Sequence, residues 1–258
     1  MKHRLRHLTL LLMLALDLPR ALLADPPREA AAAFDAYCRG VEERLTNQHA
    51  SGAYVLTGAA SSDNLRIERI AATPDLPGSA RLDHWRGVTF VPGATAAQFE
   101  DLLHNFSTYP TTFSPEVLSA SAQTTGPHRL LATMRVRQHH VITVVLGATY
   151  DVTFSQPAPH RGYSLSRSQR ITEIDSPNTP REHALSSASE HGFLWRLNTY
   201  WSWEERANGL VLQIETLSLS RSVPRGLGWI VGPYVDTIPR ESLEFTLTHA
   251  RNALAHAR

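Results

Sequence analysis

Cysteine is almost absent from this sequence, in which Cys38 is the only one among 258 residues. No disulfide can therefore form within the chain, and the core alone must stabilise the folded state. Cys38 lies at helical spacing from Phe34, Tyr37 and Val41, which indicates a buried position on a helix and not a reactive nucleophile.

Long apolar runs are also missing. The run that comes nearest, Leu8–Leu16, has nine residues, whereas a membrane-spanning helix needs about 20. It follows three basic residues and precedes the small residue Ala24, a pattern typical of a secretory signal peptide over residues 1–24. We therefore expect a mature chain without a transmembrane segment, exported to the periplasm or to the exterior of a bacterial cell.

Neither charge is in marked excess. The net charge is +1, and removal of residues 1–24 would take away four basic residues and one acidic residue, leaving −2. So small a net charge does not favour binding to nucleic acid or to an anionic membrane surface. We expect neither as a partner, and the sequence leaves the oligomeric state open.

Motifs of the common catalytic and cofactor sites are absent. The sequence contains no G-x-S-x-G nucleophile elbow, no G-x-x-x-x-G-K-[ST] phosphate loop and no G-x-G-x-x-G dinucleotide motif. Glu182-His183 and Glu190-His191 come nearest to a metal site, but their histidines do not have the i, i+4 spacing of a helical zinc site. We predict no catalytic residue, no metal and no cofactor.

The sequence does contain a regular succession of elements. An extension at residues 25–80 carries a helix and two short strands, and a main domain follows at residues 81–258. The main domain begins with a strand, a helix capped by Thr95 and a turn-rich helical piece. Long amphipathic strands follow, and a helix of about five turns begins at Pro239. The predicted ranges are 27–46, 53–57, 65–70, 84–91, 96–106, 109–118, 129–137, 141–154, 162–174, 193–205, 210–220 and 239–255.

This order predicts an α+β fold. Strands that follow one another can pair antiparallel through tight turns, and a long sheet twists and curls. The C-terminal helix is the one predicted element long enough to cover the hollow side of such a sheet. We therefore predict a curved antiparallel sheet wrapped around that helix, with the volume between them as the candidate site.

Two hairpins indicate which side chains face that volume. Asn208-Gly209 favours a two-residue turn, and the resulting register places an aromatic and aliphatic face inward. The predicted pairs are Trp203 with Ile214, Trp201 with Thr216, and Thr199 with Ser218. Two interpretations of the tryptophans stay open, because they can line a ligand site or form ordinary core.

The earlier hairpin has apolar residues at every second position from Ile142 to Phe154, which defines an inward face. A two-residue turn at 139–140 would point Arg135 and Arg137 inward, and burying an unpaired charge costs several kcal/mol. We therefore predict a three-residue turn at 138–140. The predicted pairs are Val136 with Ile142, Met134 with Val144, and Ala132 with Leu146.

Several strings of residues resemble bacterial members of the START-like, or SRPBCC, superfamily. They are HW at 84, FVPGA at 90, VITVVL at 141, GFLWRLNTYW at 192, ETLSLSR at 215, PRGLGW at 224 and IPRESL at 238. The resemblance covers about residues 65–256 and implies a helix-grip fold with a hydrophobic cavity. Members of the superfamily bind lipids, sterols, polyketides or plant hormones, and some cyclise polyketides. The superfamily has no universal catalytic residues, so the resemblance assigns none here.

We predict that the chain binds or transports a lipid-like or aromatic small molecule without catalysis. Two alternatives remain: a cyclase or aromatase that uses the same cavity, and a structural domain whose cavity is filled by its own tryptophans. The candidate ligand-binding residues are Phe106, Val144, Leu146, Tyr150, Thr199, Trp201, Trp203, Thr216, Ser218, Trp229, Leu243 and Leu247.

Overall fold

The computed structural model describes residues 25–55, 65–139, 143–222 and 228–256. The predicted signal peptide lies outside the described residues. The elements are α1 (Arg28–Ala50), β1 (Arg66–Leu76), β2 (Ala80–Pro92), α2 (Ala96–His104), α3 (Tyr109–Thr112), β3 (Val117–Gly126), β4 (Arg129–His139), β5 (Thr143–Ala158), β6 (Arg161–Asp175), β7 (His183–Ala184), β8 (Arg196–Arg206), β9 (Gly209–Arg221) and α4 (Gly228–His256).

The strands form one antiparallel sheet in the order β1-β2-β9-β8-β6-β5-β4-β3, and the short β7 pairs with β6. The long helix α4 packs against the inner face of the sheet, mainly on β2. Its buried residues Leu243, Leu247 and Leu254 join the main hydrophobic core. This is the helix-grip arrangement, and the predicted α+β fold is confirmed.

Helix α1 covers part of the opposite, outer face of the sheet. Its apolar stripe, which includes Phe34, Cys38 and Leu45, packs with Leu82 and Leu217 in a second hydrophobic core. The sheet therefore has apolar contacts on both faces, which explains why so many strand residues are buried.

Strand β1 was assigned by sequence to the extension at residues 25–80, but it pairs with β2 as an edge strand of the same sheet. Of the described part of that extension, α1 and residues 51–55 do not belong to the sheet. The short strand predicted at 53–57 is not formed at residues 53–55, and residues 56–57 lie outside the described residues.

The predicted start of helix α2 is confirmed in detail. Thr95 is the N-cap, its hydroxyl accepts from the Gln98 backbone N–H at 3.3 Å, and the Gln98 side chain accepts from the Thr95 N–H at 2.9 Å. This reciprocal pair is a capping box. It fixes the helix that carries Phe99 toward the inner face of the sheet.

Two further element predictions were wrong. The sequence analysis missed β3, whose exposed residues are mostly small or polar and give no apolar alternation. It also began the last helix at Pro239, whereas the helix begins at Gly228. Proline is favoured in the first turn of a helix because it lacks an N–H, but here Pro239 is accommodated inside the helix.

The register of the second hairpin was wrong by two residues, although the inward face was right. Trp203 pairs with Leu212 and Trp201 with Ile214, and the two turn residues are Ala207 and Asn208. Gly209 instead begins β9. A Cβ on it would lie 2.3 Å from the Val91 carbonyl oxygen, so the glycine is needed where β9 passes close to the end of β2.

The first hairpin shows an error of the same kind. Val136 pairs with Leu146, Met134 with Ala148 and Ala132 with Tyr150, so each predicted partner is displaced by four residues. His139 pairs with Thr143, and the connection between them lies outside the described residues. Both shifts are even numbers, so every side chain keeps its predicted face.

Candidate ligand cavity

A cavity of about 220 Å³ lies between the inner face of the sheet, the α2–α3 segment and α4, and it is partly open to solvent. Its position is the one predicted from the sequence. An engineered cavity of about 150 Å³ accommodates benzene, and pockets for drug-sized ligands start near 300 Å³. The enclosed volume therefore suits one or two rings or a short chain.

One wall of the cavity is aromatic. Phe99 on α2 contacts Trp201 edge to face, with ring centroids 5.1 Å apart, and Tyr109 stacks on Phe106 at 4.6 Å. The Tyr109 hydroxyl donates to the Leu103 carbonyl at 3.2 Å. Because each ring packs against a neighbour, this wall is preformed. Binding a ligand would therefore cost little conformational entropy in these side chains.

The two tryptophans on β8 have different roles. Trp201 lines the cavity, whereas Trp203 is completely buried in the core. Trp203 lies over Gly162 on the neighbouring strand, where a Cβ would come within 2.4 Å of its ring. The tryptophans therefore do not fill the volume between sheet and helix, contrary to the structural alternative considered from the sequence.

Four hydroxyl groups line an otherwise apolar part of the cavity, those of Tyr150, Ser164, Ser166 and Thr199. None of them makes a side-chain hydrogen bond within the described part of the chain. Burial raises the pKa of Tyr150, so its phenol stays neutral and can donate a hydrogen bond. The cavity thus offers unused hydrogen-bonding groups to a ligand.

Of the predicted site residues that the structure describes, five line the cavity and six do not. The lining residues are Phe106, Leu146, Tyr150, Thr199 and Trp201. Trp203, Leu243 and Leu247 are buried in the main core, and Val144 packs against it half-buried. Thr216 and Ser218 are half-buried on β9 away from the cavity lining. The Trp229 side chain lies outside the described residues.

The sequence analysis missed a larger part of the lining, including its one carboxylate, Glu116. The segment 109–118 has no other charged residue, and this isolated acid among apolar neighbours was the available signal. The missed residues that the arguments below use are Phe99, Phe113, Glu116, Gln138, Ala148, Ser164, Ser166, Ser242, Phe245 and Thr246.

A buried polar cluster lies on the other face of the sheet, under α1. Glu215 is 1% exposed and accepts from His84 Nε2 at 2.9 Å, from Arg86 Nε at 3.1 Å and from the Arg44 guanidinium. Burial alone would raise the pKa of Glu215, but the His84 hydrogen bond and the two arginines outweigh it and lower the pKa to about 2. The cluster fastens α1 to β2 and β9.

The two Glu-His dipeptides have structural partners. Glu182 forms a bidentate ion pair with Arg135. Glu190 accepts from the backbone N–H of Glu173, and His191 Nδ1 lies 2.7 Å from the Glu173 carboxylate. Within the described ranges, no group of histidine, cysteine, aspartate and glutamate side chains is arranged to hold a metal ion.

The fold and the cavity define a helix-grip domain with an internal apolar site. Among the helices of the described residues, none has a stretch both long and apolar enough to cross a membrane.

Several solved structures to which the chain is similar are named as START or aromatase/cyclase proteins. A STAR-related lipid transfer protein from Xanthomonas axonopodis is 13% identical, over 70% of this chain and 98% of that chain, with a TM-score of 0.45. A START superfamily protein from Mycobacterium smegmatis is 14% identical, over 68% and 99%, with a TM-score of 0.43. The Zhui aromatase/cyclase from Streptomyces sp. R1128 is 13% identical, over 67% and 92%, with a TM-score of 0.45.

No protein-family model matches the sequence, and no curated protein matches it as a relative. At these identities and TM-scores, the similar structures do not carry a function over to this chain.

Proposed function

We propose that the protein binds a hydrophobic small molecule of one or two rings, or with a short chain, in the cavity between sheet and α4, without catalysing a reaction. The observation that carries this proposal is the cavity itself, of about 220 Å³ with a preformed aromatic wall. The cavity is partly open to solvent, so an apolar ligand can reach it, and its volume exceeds the water-sized voids of a close-packed interior.

Affinity would come mainly from burial of apolar surface. Removing about 300 Å² of ligand from water at about 25 cal/mol per Å² contributes about 7 kcal/mol before the costs of association. Selectivity would come from the four free hydroxyls, because a ligand with a carbonyl or hydroxyl group would satisfy them and a pure hydrocarbon would not.

The cyclase or aromatase alternative needs a proton-transferring side chain, such as a hydroxyl that is hydrogen-bonded to a base. Among the described lining residues Glu116 is the one carboxylate, and it makes no hydrogen bond to Tyr150 or to the hydroxyls of Ser164, Ser166 and Thr199. No specific observation therefore favours a cyclase reaction over simple binding.

Export is a second part of the proposal and is supported by the sequence pattern of residues 1–24 alone. Expression of the full chain in a bacterial host, followed by fractionation and intact mass measurement, tests it. We expect a periplasmic or secreted protein that has lost about 24 residues. A full-length protein in the cytoplasm would contradict export without affecting the binding proposal.

Native mass spectrometry of the purified protein tests the binding proposal. We expect a fraction of the protein to carry a small noncovalent adduct that solvent extraction removes. The extracted protein should then take up an apolar probe such as butylbenzene at one equivalent. An extracted protein that binds no apolar probe at all would overturn the proposal.

A further inference from the structure

The described lining of the cavity carries one formal charge, and it is negative. Among the described lining residues Glu116 is a carboxylate, and none is an arginine or a histidine. A carboxylate or phosphate on a ligand would therefore lose its hydration without gaining a cationic partner, and it would share the cavity with Glu116. Both effects disfavour an anionic ligand.

Glu116 has its backbone fixed and its side chain free. Its N–H donates to the Phe113 carbonyl at 3.1 Å, and its carbonyl accepts from the Arg137 N–H at 2.7 Å. The carboxylate makes no hydrogen bond and no ion pair with any residue in the part of the chain that the structure describes. A half-buried carboxylate on a rigid backbone is thus left without a partner.

Two basic side chains close to Glu116, those of Arg137 and His249, have other hydrogen-bond partners. The Arg137 guanidinium donates to the Pro115 carbonyl at 3.0 Å. His249 on α4 attracts the carboxylate through space, but its Nδ1 donates to the Phe245 carbonyl at 2.9 Å. Burial raises the pKa of Glu116, and the attraction of His249 only partly opposes this. The carboxylate is therefore desolvated and not neutralised by the protein.

The other lining residues add groups that suit a cation. Phe113 contributes an aromatic ring to the lining, and aromatic rings attract cations over their faces. Ser242, Thr246 and Gln138 provide oxygen acceptors in the same cavity. A protonated amine has three N–H donors, so one carboxylate and one or two neutral oxygens would satisfy it.

We propose that the ligand is a small hydrophobic amine whose ammonium group pairs with Glu116 while its apolar part fills the cavity against the aromatic wall. This inference rests on the proposed function and specifies the ligand class of the same cavity.

Three probes that share one apolar body test the inference on the wild-type protein. They are para-butylbenzylamine, para-butylbenzyl alcohol and para-butylbenzoic acid, titrated by isothermal calorimetry at pH 7. We expect the amine to bind about tenfold or more tightly than the alcohol, and the acid to bind most weakly. Equal affinities of amine and alcohol, or tightest binding of the acid, would overturn the inference while leaving apolar binding intact.

Two variants locate the effect. Glu116→Gln should lose the preference for the amine and keep the affinity for the alcohol. Glu244→Gln is the matched control, because Glu244 is exposed on α4 beside the lining residue Phe245, and it should behave like the wild type. An unchanged amine preference in Glu116→Gln would contradict the assignment to Glu116. If none of the three probes binds the wild type, the proposed function fails together with the inference.

Discussion

Ser166 on β6 lies directly opposite Thr199 on β8, and both side chains line the cavity. Neither hydroxyl makes a hydrogen bond within the described residues. The two hydroxyls therefore form a polar pair in an apolar wall, and neither one stabilises the fold through a hydrogen bond. A polar pair of this kind costs stability unless a ligand completes its hydrogen bonds.

Thr199→Val should separate ligand recognition from folding. The exchange keeps the shape of the side chain and removes a hydroxyl without a partner, so the melting temperature should not fall. Affinity for para-butylbenzyl alcohol should drop about threefold to tenfold, while affinity for butylbenzene stays the same. Thr133→Val on the exposed side of β4 is the matched control. A loss of butylbenzene affinity equal to that of the alcohol would show that the hydroxyl is not involved.

His49 should make the protein less stable in mild acid. It stacks on Tyr163 with ring centroids 4.2 Å apart and hydrogen-bonds Ser202, and burial lowers its pKa to about 4. The unfolded value is about 6.5, so protonation favours the unfolded state. The stabilisation of the folded state by neutral His49 is therefore complete above about pH 6.5 and is lost as the pH falls toward 4.

His49→Phe keeps a ring in the stack and removes the titrating group. The melting temperature of the wild type should fall between pH 6.5 and 4 more steeply than that of His49→Phe, measured by circular dichroism in matched buffers. Parallel curves for the two proteins over this range would contradict the role of His49.

The buried ion cluster of Glu215 should matter far more than a surface ion pair. Glu215→Ala leaves Arg86 and Arg44 without their buried partner, and we expect a loss of about 3–5 kcal/mol in the free energy of unfolding. Asp151→Ala breaks the Asp151–Arg129 pair, whose arginine side chain is 54% exposed, and should reduce the free energy of unfolding far less. Urea denaturation measures the free energy of unfolding of both variants. Equal losses in the two would contradict the conclusion that this cluster holds α1 against the sheet.

Glu116 should lower the stability of the folded protein when no ligand is bound. Burial raises its pKa, so the folded state holds the proton more tightly, and wild-type stability declines as the pH rises above the usual carboxyl value of about 4.5. Glu116→Gln should therefore melt at a higher temperature than the wild type at pH 7 and at nearly the same temperature at pH 4. Without ligand, a lower melting temperature of the variant at pH 7 would show that the carboxylate has a stabilising partner.

The sequence alone predicted the order of most elements and the face that each long strand turns inward. Alternation with a period of two fixes which side chains share a face, as Leu146, Tyr150 and Trp201 show. It does not fix which residues pair, because a shift by an even number preserves every face. The hairpins were displaced by two and four residues for this reason.

The parts of the cavity that the sequence did not predict depend on long-range packing. Ser166 becomes a cavity residue only because β6 lies between β5 and β8, an order that no local pattern specifies. Glu215 looks like a solvent-facing strand residue until α1 covers it. Thr216 and Ser218 were assigned to the site because they share a face of β9 with Ile214, but no residue of β9 belongs to the described lining of the cavity.

The affinity of a cavity-filling variant tests the central claim most directly. Ala148 lines the cavity and is 3% exposed, so Ala148→Leu should occupy the ligand's space without lowering the melting temperature. By calorimetric titration with para-butylbenzyl alcohol, we expect Ala148→Leu to bind at least about tenfold more weakly than the wild type. The exposed exchange Ala122→Leu should leave the affinity unchanged. A folded Ala148→Leu protein with wild-type affinity would contradict a ligand site between the sheet and α4.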